Sequence, residues 1–319
     1  MPNVFQRPWT VTFLALFNTF LWGSAFPFIK LSYEALDIQE HEYGQQLFFA
    51  GERFLLAGLL LLVISRLVFK RPIRLTAEKL KAYAHLGAFL TFLQYLFFYI
   101  GLSISTGVQG SIIAGSTSFF QMALAHFRYK DDRLNRLKGI ALTLGFSGIV
   151  IANWPTASAE VGFGIGEILL IMAMVSGAFG NLIAKDYSRS HDVAPMTAWA
   201  MVIGSLGLLV VGYVLAPGDV FLPYTVTTLL FLLYLALLSA VGFTLWNTLM
   251  KYNPVSRVSL YMFFVPLFGV VLSSVLLGET IPWNALVGLL FVIAGIYLST
   301  YFQGRANRGR VDSPNEKQG

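Results

Sequence analysis

Apolar residues along this chain gather into long blocks separated by short polar stretches. A helix rises ~1.5 Å per residue, so about 20 mostly apolar residues are needed to cross a hydrocarbon core ~30 Å thick. Ten blocks meet that requirement: Thr10–Leu31, Leu47–Phe69, Tyr83–Leu102, Val108–Phe127, Leu137–Trp154, Val161–Lys185, Pro195–Leu215, Thr225–Met250, Val255–Leu277 and Pro282–Phe302. The connections leave no room for a separate soluble domain. The pattern predicts an all-α integral membrane protein with ten transmembrane helices.

Composition supports lipid as the solvent. Of 319 residues, 56% are hydrophobic and 12% charged, about half the ~25% charged share of soluble domains. The net charge of +6 raises nucleic acid as a partner, but the basic residues lie between hydrophobic runs and form no stripe with interleaved aromatics. Their distribution fits membrane topology instead. With the N-terminus inside, every Lys and Arg except Lys30 and Arg53 falls in an inside segment. Those two sit near the outer ends of helices 1 and 2. The outer connections carry Glu34, Asp37, Glu40, Glu42, Glu160, Asp219 and Glu279. Both termini are therefore expected in the cytoplasm, with residues 304–319 as a polar tail. Met1–Thr10 shows no cleavage site, so the first helix is expected to be retained. The absence of cysteine excludes disulfides.

The chain also resembles itself. Trp22-Gly23-Ser24-Ala25-Phe26-Pro27-Phe28-Ile29-Lys30 recurs loosely as Gly177-Ala178-Phe179-Gly180-Asn181-Leu182-Ile183-Ala184-Lys185, each stretch closed by a lysine. The link Gly101-Leu102…Val108 matches Thr248-Leu249…Val255, and Gly139 and Gly148 mirror Gly288 and Gly295. This divides the chain into residues 1–155 and 156–303, each with five helices. An odd helix count inserts the second copy from the opposite side. Inverted repeats of this kind place a substrate site near the midplane, where the halves meet, and make the two access states near mirror images.

Three motifs resemble the drug/metabolite transporter superfamily in its ten-helix EamA-type branch: Leu21-Trp22-Gly23-Ser24-Ala25-Phe26, Arg53-Phe54-Leu55-Leu56-Ala57, and the run Gly278-Glu279-Thr280…Gly288…Gly295. The likeness covers about Trp9 to Phe302. It implies a secondary transporter working by alternating access in a bacterial cytoplasmic membrane and exporting amino acids, related metabolites or toxic amphipathic compounds. Two features depart from the family pattern. Lys130-Asp131-Asp132-Arg133 stands where a Glu is usual before helix 5, and the acidic outer loop from Ser32 to Gln46 is longer than the family minimum.

Catalytic constellations are absent. His41, His85, His126 and His191 are scattered, and neither a Walker motif nor Gly-x-Ser-x-Gly occurs. The expectation is a non-enzyme without cofactor or metal, embedded in the lipid bilayer and acting on a small-molecule substrate, with no nucleic acid partner and as a monomer. Two alternatives stay open: a passive channel or facilitator, and a lipid-modifying membrane enzyme. Polar and aromatic groups at membrane depth are the natural site candidates. They are Trp22 and Phe26 in helix 1, Gln94, Tyr95 and Tyr99 in helix 3, Ser116 and Gln121 in helix 4, Asn181 in helix 6, Trp246 in helix 8 and Tyr261 in helix 9. The resemblance places these helices around a central cavity. Single hydroxyls more often bond back to their own helix. Glu52 and Glu167 are the carboxylates inside predicted helices and the candidates for proton coupling. Simpler roles are available to both: Glu52 pairing with Arg53 or Lys30, and Glu167 facing the outer water. No charge is expected near the midplane. Pro27 and Pro266 remove backbone donors, and Gly107, Gly110 and Gly115 loosen helix 4, which suits a bending gate or close packing.

Overall fold

A computed structural model describes residues 4–152, 164–220, 222–291, 293–295 and 298. The described residues are helical, with no strand among them. The helices are α1 (Pro8–Ala35), α2 (Tyr43–Leu67), α3 (Ala77–Ser103), α4 (Gly107–Ala114), α5 (Thr117–Arg128), α6 (Arg136–Ala152), α7 (Ile165–Tyr187), α8 (Val193–Leu215), α9 (Val226–Tyr252), α10 (Val255–Leu277) and α11 (Trp283–Gly295). Seven of these, α1 to α3 and α7 to α10, are long and apolar enough to cross a membrane. The fourth predicted span is split into α4 and α5 at Gly115–Ser116, so neither piece is long enough alone. The apolar parts of α6 and α11 are shorter, Gly139–Ile151 and Trp283–Gly295. Trp154, Glu160, the start of the sixth predicted span at Val161, the end of the tenth and the tail 304–319 lie outside the described residues.

Local chemistry sets the helix ends. The hydroxyls of Thr76, Thr106 and Thr225 accept from the backbone N–H groups of Lys79, Gln109 and Thr228 and so start α3, α4 and α9. Gly278, at φ 66, ends α10 in the left-handed conformation that glycine adopts without a Cβ clash. The second span begins at Tyr43, earlier than its apolar block. The Gln46 side chain explains this, donating to the Gln39 and Glu40 carbonyls and tying the polar first turn of α2 to the preceding loop.

Packing holds the helices at close range through small residues, as lipid-immersed helices require. Gly44, Gly51 and Gly58 recur every seven residues along α2 and meet Ala216, just past the end of α8, and Leu209 and Val202 within α8, which runs antiparallel. A Cβ on Gly51 would lie 2.6 Å from Leu209 Cγ. The other contacts pair off between the halves. Helix α1 packs on α9 and α10, while α7 packs on α3 and on α4 and α5. Helix α2 packs on α9, while α8 packs on α3. Exchanging each first-half helix for its second-half counterpart turns one set of contacts into the other.

Candidate functional site: an aromatic cavity between two latches

The cavity lies at the middle of the long helices. Its walls are Trp22, Ala25 and Phe26 of α1, Arg53 of α2, Gln94, Tyr95 and Phe98 of α3, Ala114 and Thr117 at the α4–α5 break, Met174 and Asn181 of α7, Phe243 of α9, and Met262 and Val265 of α10. Irregular backbone surrounds it. A π-helical stretch over Ala88–Leu93 immediately precedes Gln94, a device often found at functional positions. Helix α10 tightens to a 3₁₀ turn over Leu260–Phe263 just before Pro266, whose ring cannot donate to the preceding turn. The α4–α5 break faces that proline, and a Cβ on Gly115 would sit 2.9 Å from Pro266 Cγ. Two interrupted helices thus cross beside the cavity. Its volume of about 60 Å³ is well below the ~300 Å³ at which ligand pockets begin.

The structure places a charge where none was expected, buried in the cavity wall near the middle of a spanning helix. Arg53 lies ten residues beyond the start of α2, about 15 Å along the helix, and is 1% exposed. It was expected at an outer end because the second helix was expected to start at Leu47. Its Nε donates to the Leu235 carbonyl (3.2 Å) and the Ser239 hydroxyl (2.9 Å), and Nη1 donates to the Tyr99 hydroxyl (2.9 Å). The guanidinium lies over the Phe54 and Tyr95 rings, 4.9 and 5.8 Å from their centroids. None of these partners is an anion.

Five of the predicted site residues line this cavity: Trp22, Phe26, Gln94, Tyr95 and Asn181. Two more support its walls. Tyr99 holds Arg53, and the ring of Trp246 lies 5.1 Å from that of Trp22. The remaining three do not border it. Ser116 is buried at the helix break, Gln121 accepts from the Ser259 hydroxyl at 2.6 Å, and the Tyr261 hydroxyl meets that of Thr12 at 2.7 Å. The two acidic candidates also lie elsewhere. Glu52 accepts from the Tyr224 hydroxyl, and pairs with neither Arg53 nor Lys30. Glu167 is buried, not facing water; it accepts from the Gly164 N–H (2.8 Å) and the Ser105 hydroxyl (2.9 Å), closing the first turn of α7. Phe243, Met174 and Met262 escaped sequence reasoning, since an apolar residue in an apolar helix carries no signal of which way it faces.

At either end of the bundle stands a polar latch. At one end, Glu279, just after α10, accepts from the Gly107 and Val108 N–H groups (2.9 and 2.8 Å) at the start of α4, while Lys30 donates to the Ser105 carbonyl at 2.5 Å. At the other end, Asp132, just after α5, accepts from the Ser256 N–H (2.9 Å) at the start of α10, while Lys185 donates to the Met250 and Asn253 carbonyls (2.5 and 2.6 Å). In both, a carboxylate meets the positive end of a helix and a lysine takes the carbonyls just before it, the favourable sense of each interaction. Both latches are closed.

Comparison with known proteins gives the following. The model of the EamA-like transporter family matches the chain twice, over residues 9–154 and 164–301. An uncharacterized transporter of Bacillus subtilis is 29% identical, covering 98% of both chains. A probable amino-acid metabolite efflux pump of Salmonella typhimurium is 27% identical over 91% of this chain and 94% of its own length. A solved crystal structure superposes with a TM-score of 0.66 at 14% identity, covering 92% of this chain and 99% of its own, which supports the fold.

Proposed function

The chain belongs to the EamA-like transporter family, and from that premise we propose that it exports amino acids or related small organic metabolites by alternating access. The multi-pass membrane character is common ground with its relatives. The proposal adds a location in a bacterial cytoplasmic membrane, both termini in the cytoplasm, and an origin in two inverted five-helix repeats, residues 1–155 and 156–303.

The observation that carries this reading is the pair of latches. Inverted duplication makes opposite faces of a transporter chemically equivalent. Here the lysine closing the first helix of each half, and a carboxylate following the fourth helix of each half, clamp the opposite ends of α4 and α10. In the proposed cycle, release of the Glu279 latch lets α4 and α10 part on the outer side and opens the aromatic cavity outward. Release of the Asp132 latch does the same inward. With both closed the cavity is contracted, in keeping with its small volume. One chain supplies both latches and every wall, so the proposed unit is a monomer. Trp22, Phe26, Gln94, Tyr95 and Asn181 are proposed to bind the substrate, with Tyr99 and Trp246 holding the wall.

Counterflow in proteoliposomes tests the reading, using a panel of amino acids, nucleosides and organic cations. An alternating-access carrier concentrates labelled substrate transiently against unlabelled substrate inside. Flux that shows no such overshoot for any permeating solute means a passive channel and overturns the proposal.

A further inference from the structure

The cavity contains a cation whose charge no group neutralises among the described residues. The Arg53 guanidinium carries five N–H donors and cannot deprotonate at any physiological pH. Leu235, Ser239 and Tyr99 take only the Nε donor and one on Nη1, leaving the rest, including both on Nη2, without a partner. No carboxylate lines the cavity among the described residues, and the acidic groups nearest in sequence or expectation are engaged elsewhere. A charge held at membrane depth without a counter-ion marks a place where an ion is received.

The same cavity holds complementary groups. The side-chain amides of Gln94 and Asn181 make no hydrogen bond, and both their carbonyl oxygens are buried. They lie together: a Cβ on Gly177 would touch the Gln94 amide at 2.8 Å, and Asn181 follows Gly177 by one turn on the same face of α7. Apart from Thr117, the remaining walls are apolar or aromatic, with rings from Trp22, Phe26, Tyr95, Phe98 and Phe243 beside Met174, Met262 and Val265.

We propose that Arg53 receives the carboxylate of the transported molecule, that Gln94 and Asn181 accept from its ammonium group, and that the substrate is therefore a zwitterionic α-amino acid with an apolar or aromatic side chain. A simple organic cation would meet the guanidinium as a like charge. A simple carboxylic acid would leave both amides unsatisfied. The inference rests on the transport reading above and sharpens it, because Arg53 then selects against every substrate lacking the acid. The aromatic rings that fix the guanidinium keep its planar fork presented to a carboxylate, which accepts two parallel bonds.

The test compares L-phenylalanine, L-phenylalaninamide, 3-phenylpropionate and phenethylamine as counterflow substrates of the full-length protein. The wild type is expected to take phenylalanine at least ~30-fold better than the amide, the scale set by truncating one partner of a buried charge pair. Arg53→Lys should keep the order of preference at about tenfold lower affinity, the loss of fork geometry. Arg53→Gln, in protein that remains monodisperse, should take acid and amide alike. The wild type alone keeps the idea falsifiable if that variant misfolds: equal use of acid and amide, or preference for the amide, overturns it. Transport of nucleosides or organic cations with none of the amino-acid probes overturns the Arg53 inference and leaves the transporter reading intact. Failure to move any solute removes both.

Discussion

Replacing Glu279 by glutamine isolates the outer latch. In the closed structure its carboxylate takes two backbone N–H groups, at 2.9 and 2.8 Å, from the first turn of α4. Hydrogen bonds to a charged group contribute ~1.5–3 kcal/mol each when shielded, and the charge gains a further ~0.3–1 kcal/mol from the helix end. Glu279 is half-buried, so the lower values apply. Glutamine keeps an acceptor oxygen but loses the charge, and its amide N–H₂ faces donors in place of the second bond. The net loss is about 1.5–2 kcal/mol, which shifts the equilibrium between sealed and outward-open forms by roughly 10- to 30-fold. The chain has no cysteine, so Ala25→Cys in the cavity wall provides a clean reporter. Its labelling by a membrane-impermeant thiol reagent should accelerate 10- to 30-fold from the outside in Glu279→Gln and slow from the inside. Asp132→Asn should produce the reverse. Equal acceleration from both faces would mean that α4 has merely melted, and unchanged rates would mean that the carboxylate is no latch. Either result refutes the reasoning.

Other consequences can be checked separately. Trp22→Ala and Tyr95→Ala should each lower the rate of counterflow at least tenfold, and the aromatic cavity is disproved if both leave every transported substrate unaffected. Gly51→Leu drives a side chain into Leu209 at the α2–α8 contact; overpacking there should cost ~1–3 kcal/mol and lower the thermal midpoint in detergent, whereas an unchanged midpoint would show that the helices separate freely. Glu167→Gln loses the charge that closes the first turn of α7, a cost of ~0.5–2 kcal/mol visible in the same melt. Because neither Glu167 nor Glu52 borders the cavity, glutamine at both should leave the pH profile of transport in place; a flattened profile would return them to a coupling role.

Much of the fold was legible because membrane physics writes it in block lengths. The seven long helices fall within six residues of their apolar runs, and the paired lysines Lys30 and Lys185 are visible as the ends of a repeated motif. Where the reading slipped, polar residues were helical. Tyr43, Gly44, Gln45 and Gln46 look like loop, yet Gln46 turns inward to cap its own approach, and α2 starts early. The break at Gly115–Ser116 falls on one of the three glycines that loosen the fourth span, but composition does not tell a broken helix from a closely packed one, since glycine and serine are ordinary in packed spans. In the fold this point lies against Pro266, on a helix more than a hundred residues away, where a side chain larger than glycine's would not fit.

Shifting one helix start by a turn decided how the site was read. Arg53 counted from Leu47 is an interfacial residue that can reach outer water, while counted from Tyr43 it stands near the middle of its helix, buried and with no such route. A cation at that depth costs ~2.5–3.5 kcal/mol at insertion, so its retention needs either full neutralisation or a use. Its three neutral partners and two rings offset desolvation without cancelling charge. Asp132 shows the complementary case. It stands where a glutamate is usual, and its carboxylate still reaches the Ser256 N–H at the start of α10. What the position requires is an acceptor of negative charge at a helix N-terminus, and a shorter side chain satisfies it if the backbone stands closer. Asp132→Glu should therefore keep the latch, with inside labelling of Ala25→Cys within about threefold of the parent, a factor worth ~0.6 kcal/mol. Asp132→Asn should not. If the glutamate opened the inner face as far as the asparagine does, chain length rather than charge would hold α10, and the equivalence of the two latches would fail.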